Sequence, residues 1–152
     1  MKAKDTSLPA GIKVLFVAGF GPIVKSPELS KKLYGDILGL PLQGVDGDDG
    51  YLFSASIPGV KHFALWPLDQ ASLSCFGTSH WPAEYPVPQA WLEFDVDDIV
   101  SATAILESAG YYLLTNRKLE PWGQTVTRFL SPEGILTALT LSPELREEAH
   151  KS

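Results

Sequence analysis

The two halves of this chain carry the same order of strand and helix signals, and this internal repeat limits what the chain can fold into. Each half begins with an apolar strand, continues with a helix and ends with three further strands. Ser26 and Asp98 stand at the two helix starts, where either side chain can cap the first turn. Val24 and Val96 occupy equivalent places just before them. The sequence therefore predicts two βαβββ units.

Short apolar and β-branched runs between turn residues predict the strands. These runs lie at 13–18, 41–45, 51–57 and 61–67 in the first half, and at 90–96, 111–116, 124–130 and 135–141 in the second. Gly39 and Gly110 are predicted to end the two helices, because glycine readily takes up the left-handed conformation that closes a helix. A proline-rich stretch between the halves indicates a connector, with some helix expected around residues 69–76.

The chain length fits one domain. A sequence of 152 residues is about the size of a single domain and can bury a substantial core. We predict a domain at 13–142, with module one at 13–67, a connector at 68–88 and module two at 89–142. A short charged tail, 143–152, follows it.

The composition excludes several classes of partner. The net charge of −6 argues against nucleic acid, whose affinity comes mostly from neutralised phosphates, and against anionic membranes. The single cysteine, Cys75, cannot form an internal disulfide. No apolar stretch of signal-peptide or membrane-span length is present. We therefore expect a cytoplasmic protein.

Three segments carry a resemblance to a known family. The first is 24–30 (VKSPELS) with 33–40 (LYGDILGL), similar to the family's first helix and its end. The second is 93–98 (EFDVDD), similar to the entry into the second module's helix. The third is 120–125 (EPWGQT) with 129–134 (FLSPEG), similar to the last hairpin. In this order the chain resembles the vicinal oxygen chelate superfamily of glyoxalases, bleomycin-resistance proteins and extradiol dioxygenases.

The resemblance implies an α+β fold in which two βαβββ modules form a U-shaped mixed sheet with helices outside. In such a family the concave side of the sheet, here called the cup, binds a metal and a substrate. The resemblance also implies a homodimer, and the connector at 81–88 is the place where one module could cross to the other subunit.

Counting from the motifs places the four metal-ligand positions of the family on residues that cannot coordinate a metal. Enzymes of this kind hold a divalent ion with His, Glu or Gln, leaving sites open for two substrate oxygens. The equivalent positions here are Gly19, Ala64, Trp91 and Ala138. We therefore expect no metal and no other cofactor.

Strand alternation places aromatic and acidic side chains on the concave face. The predicted ligand-binding residues are Trp66, Trp91, Glu93, Asp95 and Trp122. Aromatic walls with a few polar groups are typical of a small-molecule pocket. The alternative is that Trp66 and Trp91 fill the cup as ordinary core.

Glu93 and His62 each have a catalytic and a structural interpretation. Glu93 could accept a cation or act as a base, but a buried carboxylate usually has a partner, and Arg128 on a nearby strand is the expected one. His62 could act as an acid or base, but is more often a hydrogen-bonded strand residue. The catalytic residues thus stay unknown, with these two as weak candidates.

Three hypotheses remain open from the sequence. The first is a metal-free binding protein of the bleomycin-resistance type, which sequesters an amphipathic small molecule by stacking, with Glu93 or Asp95 attracting any positive group. The second is a glyoxalase- or dioxygenase-like enzyme with a non-standard site. The third is a structural or regulatory dimer with a filled cup. The pI of about 4.9 fits a cationic ligand but fits simple solubility as well.

Overall fold

A computed structural model describes residues 11–150 of the chain. The strands are β1 (Val14–Val24), β2 (Gln43–Val45), β3 (Asp48–Ser54), β4 (Phe63–Pro67), β5 (Ala90–Val96), β6 (Thr115–Leu119), β7 (Thr125–Leu130) and β8 (Leu136–Leu141). The helices are α1 (Pro27–Lys31), which continues as a π-helical segment (Lys32–Ile37), α2 (Leu68–Phe76), α3 (Ile99–Ser108) and α4 (Pro143–His150). The last two residues of the predicted tail lie outside the described residues.

All eight strands belong to one open mixed sheet with the order β2-β3-β4-β1-β5-β8-β7-β6. Each predicted unit supplies four neighbouring strands, and the units meet where β1 pairs antiparallel with β5. Within each unit the first and last strands are parallel, β1 with β4 and β5 with β8. This arrangement confirms the predicted fold class and the repeat.

The two predicted helix caps are present. Leu29 N donates to the Ser26 hydroxyl at 3.4 Å, and Ser101 N donates to the Asp98 carboxylate at 3.0 Å. Each bond satisfies a backbone amide that has no partner inside its helix. Gly39 and Gly110 follow the two helical segments with φ of 69° and 97°, as a left-handed helix end requires.

Three strands differ from the prediction by three residues or more at an end. β3 spans Asp48–Ser54 instead of 51–57, because its pairing with β2 begins within the predicted turn. β1 continues to Val24, well beyond the apolar run 13–18 that predicted it, because β5 and β4 both pair with its second half. β6 begins at Thr115 instead of residue 111. The aromatic residues ahead of it suggest a strand by propensity, but Tyr111 packs edge-on against Phe129 and Tyr112 stacks on Tyr85. Tertiary packing therefore outweighs local propensity there.

The helices cover both faces of the sheet. On the convex side, Tyr34 packs against a cluster with Phe63, and Leu106 of α3 packs against Phe129. The connector helix α2 lies on the concave side, where Ala71 and Cys75 join the same cluster as Trp66 and Trp91. The convex helices match the prediction, and α2 adds a helix inside the cup. No helix within residues 11–150 is long and apolar enough to cross a membrane.

Candidate functional site

A cavity of about 850 Å³ opens on the concave side of the sheet. Strands β3 and β4 form one wall, β5 and β7 form the other, and α2 and the start of α4 border it. Five of the residues singled out by sequence line this cavity, namely His62, Trp66, Trp91, Glu93 and Trp122. Strand alternation thus placed Trp66, Trp91 and Glu93 on the cavity face, whereas Trp122 lies on the turn before β7.

Trp91 occupies the region to which the resemblance assigns a metal. Its indole Nε1 donates a hydrogen bond to Ala64 O at 3.1 Å, and the side chain is buried. A Cβ built on Gly19 would lie 2.9 Å from the Trp91 ring and 2.6 Å from His62 O. Glycine at this position therefore lets the indole ring lie against the backbone of β1.

The residues of this site do not fit a family-type metal. Gly19, Ala64, Trp91 and Ala138 offer no ligating side chain, and Trp91 fills the space among them. Across the described residues, no three His, Cys, Asp or Glu side chains come together in a group that could hold an ion. These side chains could not hold a family-type metal ion.

His62 stands among aromatic rings on one wall. Its ring lies 5.5 Å from the Phe53 ring at an angle of 15°, and 6.2 Å from the Trp91 ring. Its Nε2 is hydrogen-bonded to Tyr51 Oη at 2.8 Å. Burial lowers the pKa of His62 and raises the pKa of Tyr51. Both groups are therefore neutral near pH 7. His62 is hydrogen-bonded as the structural interpretation expects, but it lies one residue before β4 and not within the strand.

Glu93 lies on the opposite wall and is held by an amide. Gln124 Nε2 donates to Glu93 Oε1 and to Ser142 Oγ, each at 2.9 Å. Trp122 Nε1 in turn donates to Gln124 Oε1 at 2.9 Å, which fixes the exposed indole at the cavity rim. Glu93 is half-buried in the cavity wall. This burial raises the pKa of Glu93, although nearby Arg128 and the Gln124 amide act in the opposite direction.

The structure does not place Asp95 at the cavity. Its side chain is fully buried, and its carboxylate accepts hydrogen bonds from Thr140 Oγ1 at 2.7 Å and Arg146 Nε at 2.6 Å. Arg146 belongs to α4 and also donates to Val96 O. The prediction that Asp95 binds a ligand needs correction, because this carboxylate already neutralises a cation of its own chain.

Arg128 lines the cavity but does not pair with Glu93, contrary to the expected ion pair. Its Nη1 donates to Glu120 Oε1 at 2.7 Å, and both side chains are almost fully buried. The β6–β7 hairpin brings Glu120 close, since Glu120 N bonds Gln124 O across the turn. Nε and Nη2 of Arg128 have no hydrogen-bond partner among the described residues.

Sequence reasoning missed Tyr51, Gln124 and the free donors of Arg128. Gln124 directly precedes β7 and lies four residues before Arg128, so alternation along this extended segment puts both side chains on one face. That spacing was a usable signal for the cavity wall. Tyr51 shows no comparable signal, because its contact with His62 depends on how β3 pairs with β4.

The comparisons with known proteins agree with this architecture. The chain is similar to a glyoxalase/bleomycin resistance protein/dioxygenase superfamily member from Vibrio splendidus 12B01. The identity is 15% and the TM-score is 0.56, over 84% of this chain and 98% of that chain. It is also similar to methylmalonyl-CoA epimerase from Mycobacterium tuberculosis, with 18% identity and a TM-score of 0.54 over 93% and 97% of the two chains. At such identities the likeness shows the fold alone.

Comparison with curated protein sequences finds no significant match. The family model for the glyoxalase/bleomycin resistance protein/dioxygenase superfamily matches residues 20–139. This match spans most of the chain and includes six of the eight strands, β2 to β7, over their whole length. On this basis the chain belongs to the glyoxalase/bleomycin resistance protein/dioxygenase superfamily.

Proposed function

We propose that the protein is a metal-free small-molecule-binding protein of the bleomycin-resistance type, which sequesters an amphipathic ligand in its cup. The observation that carries this proposal is the cavity of about 850 Å³ that remains beside Trp91. Pockets for small molecules commonly measure roughly 300 to 1,000 Å³. A cup filled by its tryptophans, as the structural-dimer hypothesis requires, would leave no such space.

The composition of the cavity wall favours an aromatic or otherwise flat apolar ligand. Trp66, Phe53 and Trp122 offer ring faces or edges, and Glu93 with Gln124 offers a polar side. Stacking on such rings supplies affinity, while few polar groups orient the ligand. The expected positive charge on the ligand has lost support, because Asp95 is engaged by Arg146 and burial raises the pKa of Glu93.

We expect an amphipathic aromatic compound to change the tryptophan fluorescence of the purified protein in a saturable way. The compounds tested share the same ring system and differ in charge, with anionic, neutral and cationic members. Trp122→Ala should weaken binding of the best compound about tenfold, since truncating an interface tryptophan removes contact area. Trp122 is 56% exposed, so its removal should leave the fold intact.

Tyr112→Ala is the matched control for this measurement. Tyr112 is an exposed aromatic residue that does not line the cavity, so its removal should leave affinity unchanged. If no compound of any charge alters the fluorescence, the binding proposal is wrong. Equal losses in both variants would also count against a ligand in the cup.

Protein purified without chelator should contain less than about a tenth of an equivalent of Zn, Ni, Mn or Fe, because a catalytic site needs about three protein ligands. Elemental analysis checks this directly. Added metal should also leave the thermal unfolding midpoint unchanged, since binding to the native state would raise it. A stoichiometric metal would contradict our placement of the strands and would favour an enzyme.

An enzyme with a non-standard site is the second candidate. The favouring observation is that His62, bonded to Tyr51, and Glu93 both line the cavity from opposite walls. Such a pair could move a proton on a bound molecule. The structural neighbours include a protein named methylmalonyl-CoA epimerase, so the fold accommodates catalysis. Unchanged turnover after joint His62→Gln and Glu93→Gln substitution would end this hypothesis for any substrate found.

We further propose that the protein forms a homodimer through the convex face of β1. This strand lies near the centre of the sheet, yet Leu15, Val17 and Phe20 are each more than 40% exposed. α1 packs beside β4 and α3 packs beside β8, which leaves this apolar stripe between them. A second copy would remove it from water.

Sedimentation analysis of the native protein should find a dimer. The double variant Val17→Ser with Phe20→Ser should be a monomer, because polar side chains on β1 reduce the apolar area that the interface buries. Val100→Ser, at an exposed apolar position on α3, should leave the dimer unchanged. A monomer at all micromolar concentrations would contradict this proposal.

A further inference from the structure

The cavity wall holds a buried cation that is only partly satisfied. Arg128 is 1% exposed, and one of its three guanidinium nitrogens is bonded to Glu120. In the part of the chain that the structure describes, Nε and Nη2 have no hydrogen-bond partner. Buried donors without partners are rare in native proteins, and those of a charged group are the most unfavourable. A group from outside the chain is the natural acceptor.

The free atoms of Arg128 share one edge of the guanidinium group. Nε–H and one Nη2–H point the same way in the guanidinium plane, which is the arrangement that binds both oxygens of a carboxylate. Glu120 holds the neighbouring nitrogen Nη1, and the ring of Trp66 lies 5.4 Å from Cζ. The edge is therefore held in a fixed orientation before any ligand arrives.

We propose that the cavity takes an aromatic or apolar ligand that carries a carboxylate, and that the Nε/Nη2 edge of Arg128 binds this carboxylate. This proposal rests on the binding function proposed above and names the ligand's chemical class. Both nitrogen atoms are out of contact with bulk solvent. We therefore expect a wall residue to shift when the ligand enters, and Trp66 stands over the guanidinium group.

The charges around the Nε/Nη2 edge of Arg128 favour a ligand with one negative charge over a ligand with two. Glu120 already neutralises Arg128, and Lys118 Nζ adds a positive charge 3.5 Å from the same carboxylate oxygen. Glu93 lies on the cavity wall, and burial raises its pKa, which lowers the cost of an anion beside it. A dianionic phosphate carries twice the charge of a carboxylate, so it would be repelled more strongly by Glu120 and by any negative charge on Glu93. A monoanionic carboxylate is the better match.

The test compares three probes that differ in one group: 2-naphthylacetate, 2-naphthylacetamide and 2-naphthylmethylamine. Isothermal titration calorimetry on the full chain should find the carboxylate at least about tenfold tighter than the amide, as a charge-assisted bidentate contact requires. The amine should bind weakest. Equal affinities for the acid and the amide, or tightest binding of the amine, would overturn the carboxylate assignment while leaving the binding function in place.

The variant Arg128→Lys tests whether the guanidinium edge causes the preference for the acid over the amide. Lysine retains a positive charge to pair with Glu120 but lacks the planar two-donor edge. The acid should then lose its advantage over the amide. Arg128→Met with Glu120→Met removes the whole ion pair and should give the same result in a folded protein. A tenfold preference retained in both variants would contradict the role of Arg128. Failure of all three probes to bind the native protein would instead count against the binding function itself.

Discussion

Replacing Gly21 with alanine should lower the free energy of unfolding by about 3 kcal/mol or more, because the new methyl group has no space. A Cβ at this position would overlap Ala64 O and would lie 2.9 Å from Trp91 Nε1. Neither neighbour can move alone, since Trp91 Nε1 is hydrogen-bonded to Ala64 O. Chemical denaturation of the purified variant measures the change.

Gly44→Ala provides the matched control, because Gly44 is also a strand glycine with an ordinary backbone conformation. Its built Cβ meets no atom closer than Leu52 Cδ2 at 3.8 Å. This substitution should change stability by less than about 1 kcal/mol, with stabilisation as the expected sign. Equal midpoints for Gly21→Ala and the native protein would mean that β1 and β4 lie further apart than described.

The space beside Gly19 is limited in the same way as the space beside Gly21. A histidine at position 19 would need the space that Gly19 leaves for the Trp91 ring and His62 O. Trp91 would have to be removed as well. A family-type metal ligand at position 19 would therefore require coordinated changes on two strands, β1 and β5.

Substitution of Glu120 by leucine should lower the free energy of unfolding by about 3 to 5 kcal/mol, because it leaves the buried Arg128 without a counter-charge. Both side chains are at most 2% exposed, so water cannot replace the lost carboxylate. The same denaturation experiment measures this loss. The large effect is the cost of an isolated buried charge and does not equal the net contribution of the pair.

Two further variants separate these contributions. Lys118→Gln removes the exposed second partner of Glu120 and should change stability by about 1 kcal/mol or less. Glu120→Leu with Arg128→Met should recover most of the stability lost by Glu120→Leu alone, since an apolar pair replaces the ions. If the double variant is as unstable as the single one, packing around position 120 would be responsible instead of charge.

The sequence by itself determined the features that depend on neighbouring residues and on residue chemistry. The caps at Ser26 and Asp98 and the repeated βαβββ order follow from short-range signals. Strand alternation placed Trp66, Trp91 and Glu93 on the cavity face, because the side-chain period of two needs no knowledge of strand partners. The identity of the residues at the four ligand positions likewise needs no structure.

Only the tertiary structure decided which of these side chains meet. Arg128 pairs with Glu120 instead of Glu93 because the β6–β7 hairpin brings Glu120 to it. Asp95 is neutralised by Arg146, which lies 51 residues away on α4. Alternation gives the face on which a side chain lies, whereas its partner depends on strands and helices that come together from distant parts of the chain. For that physical reason the free edge of Arg128, and with it the proposed carboxylate site, could not be predicted from sequence.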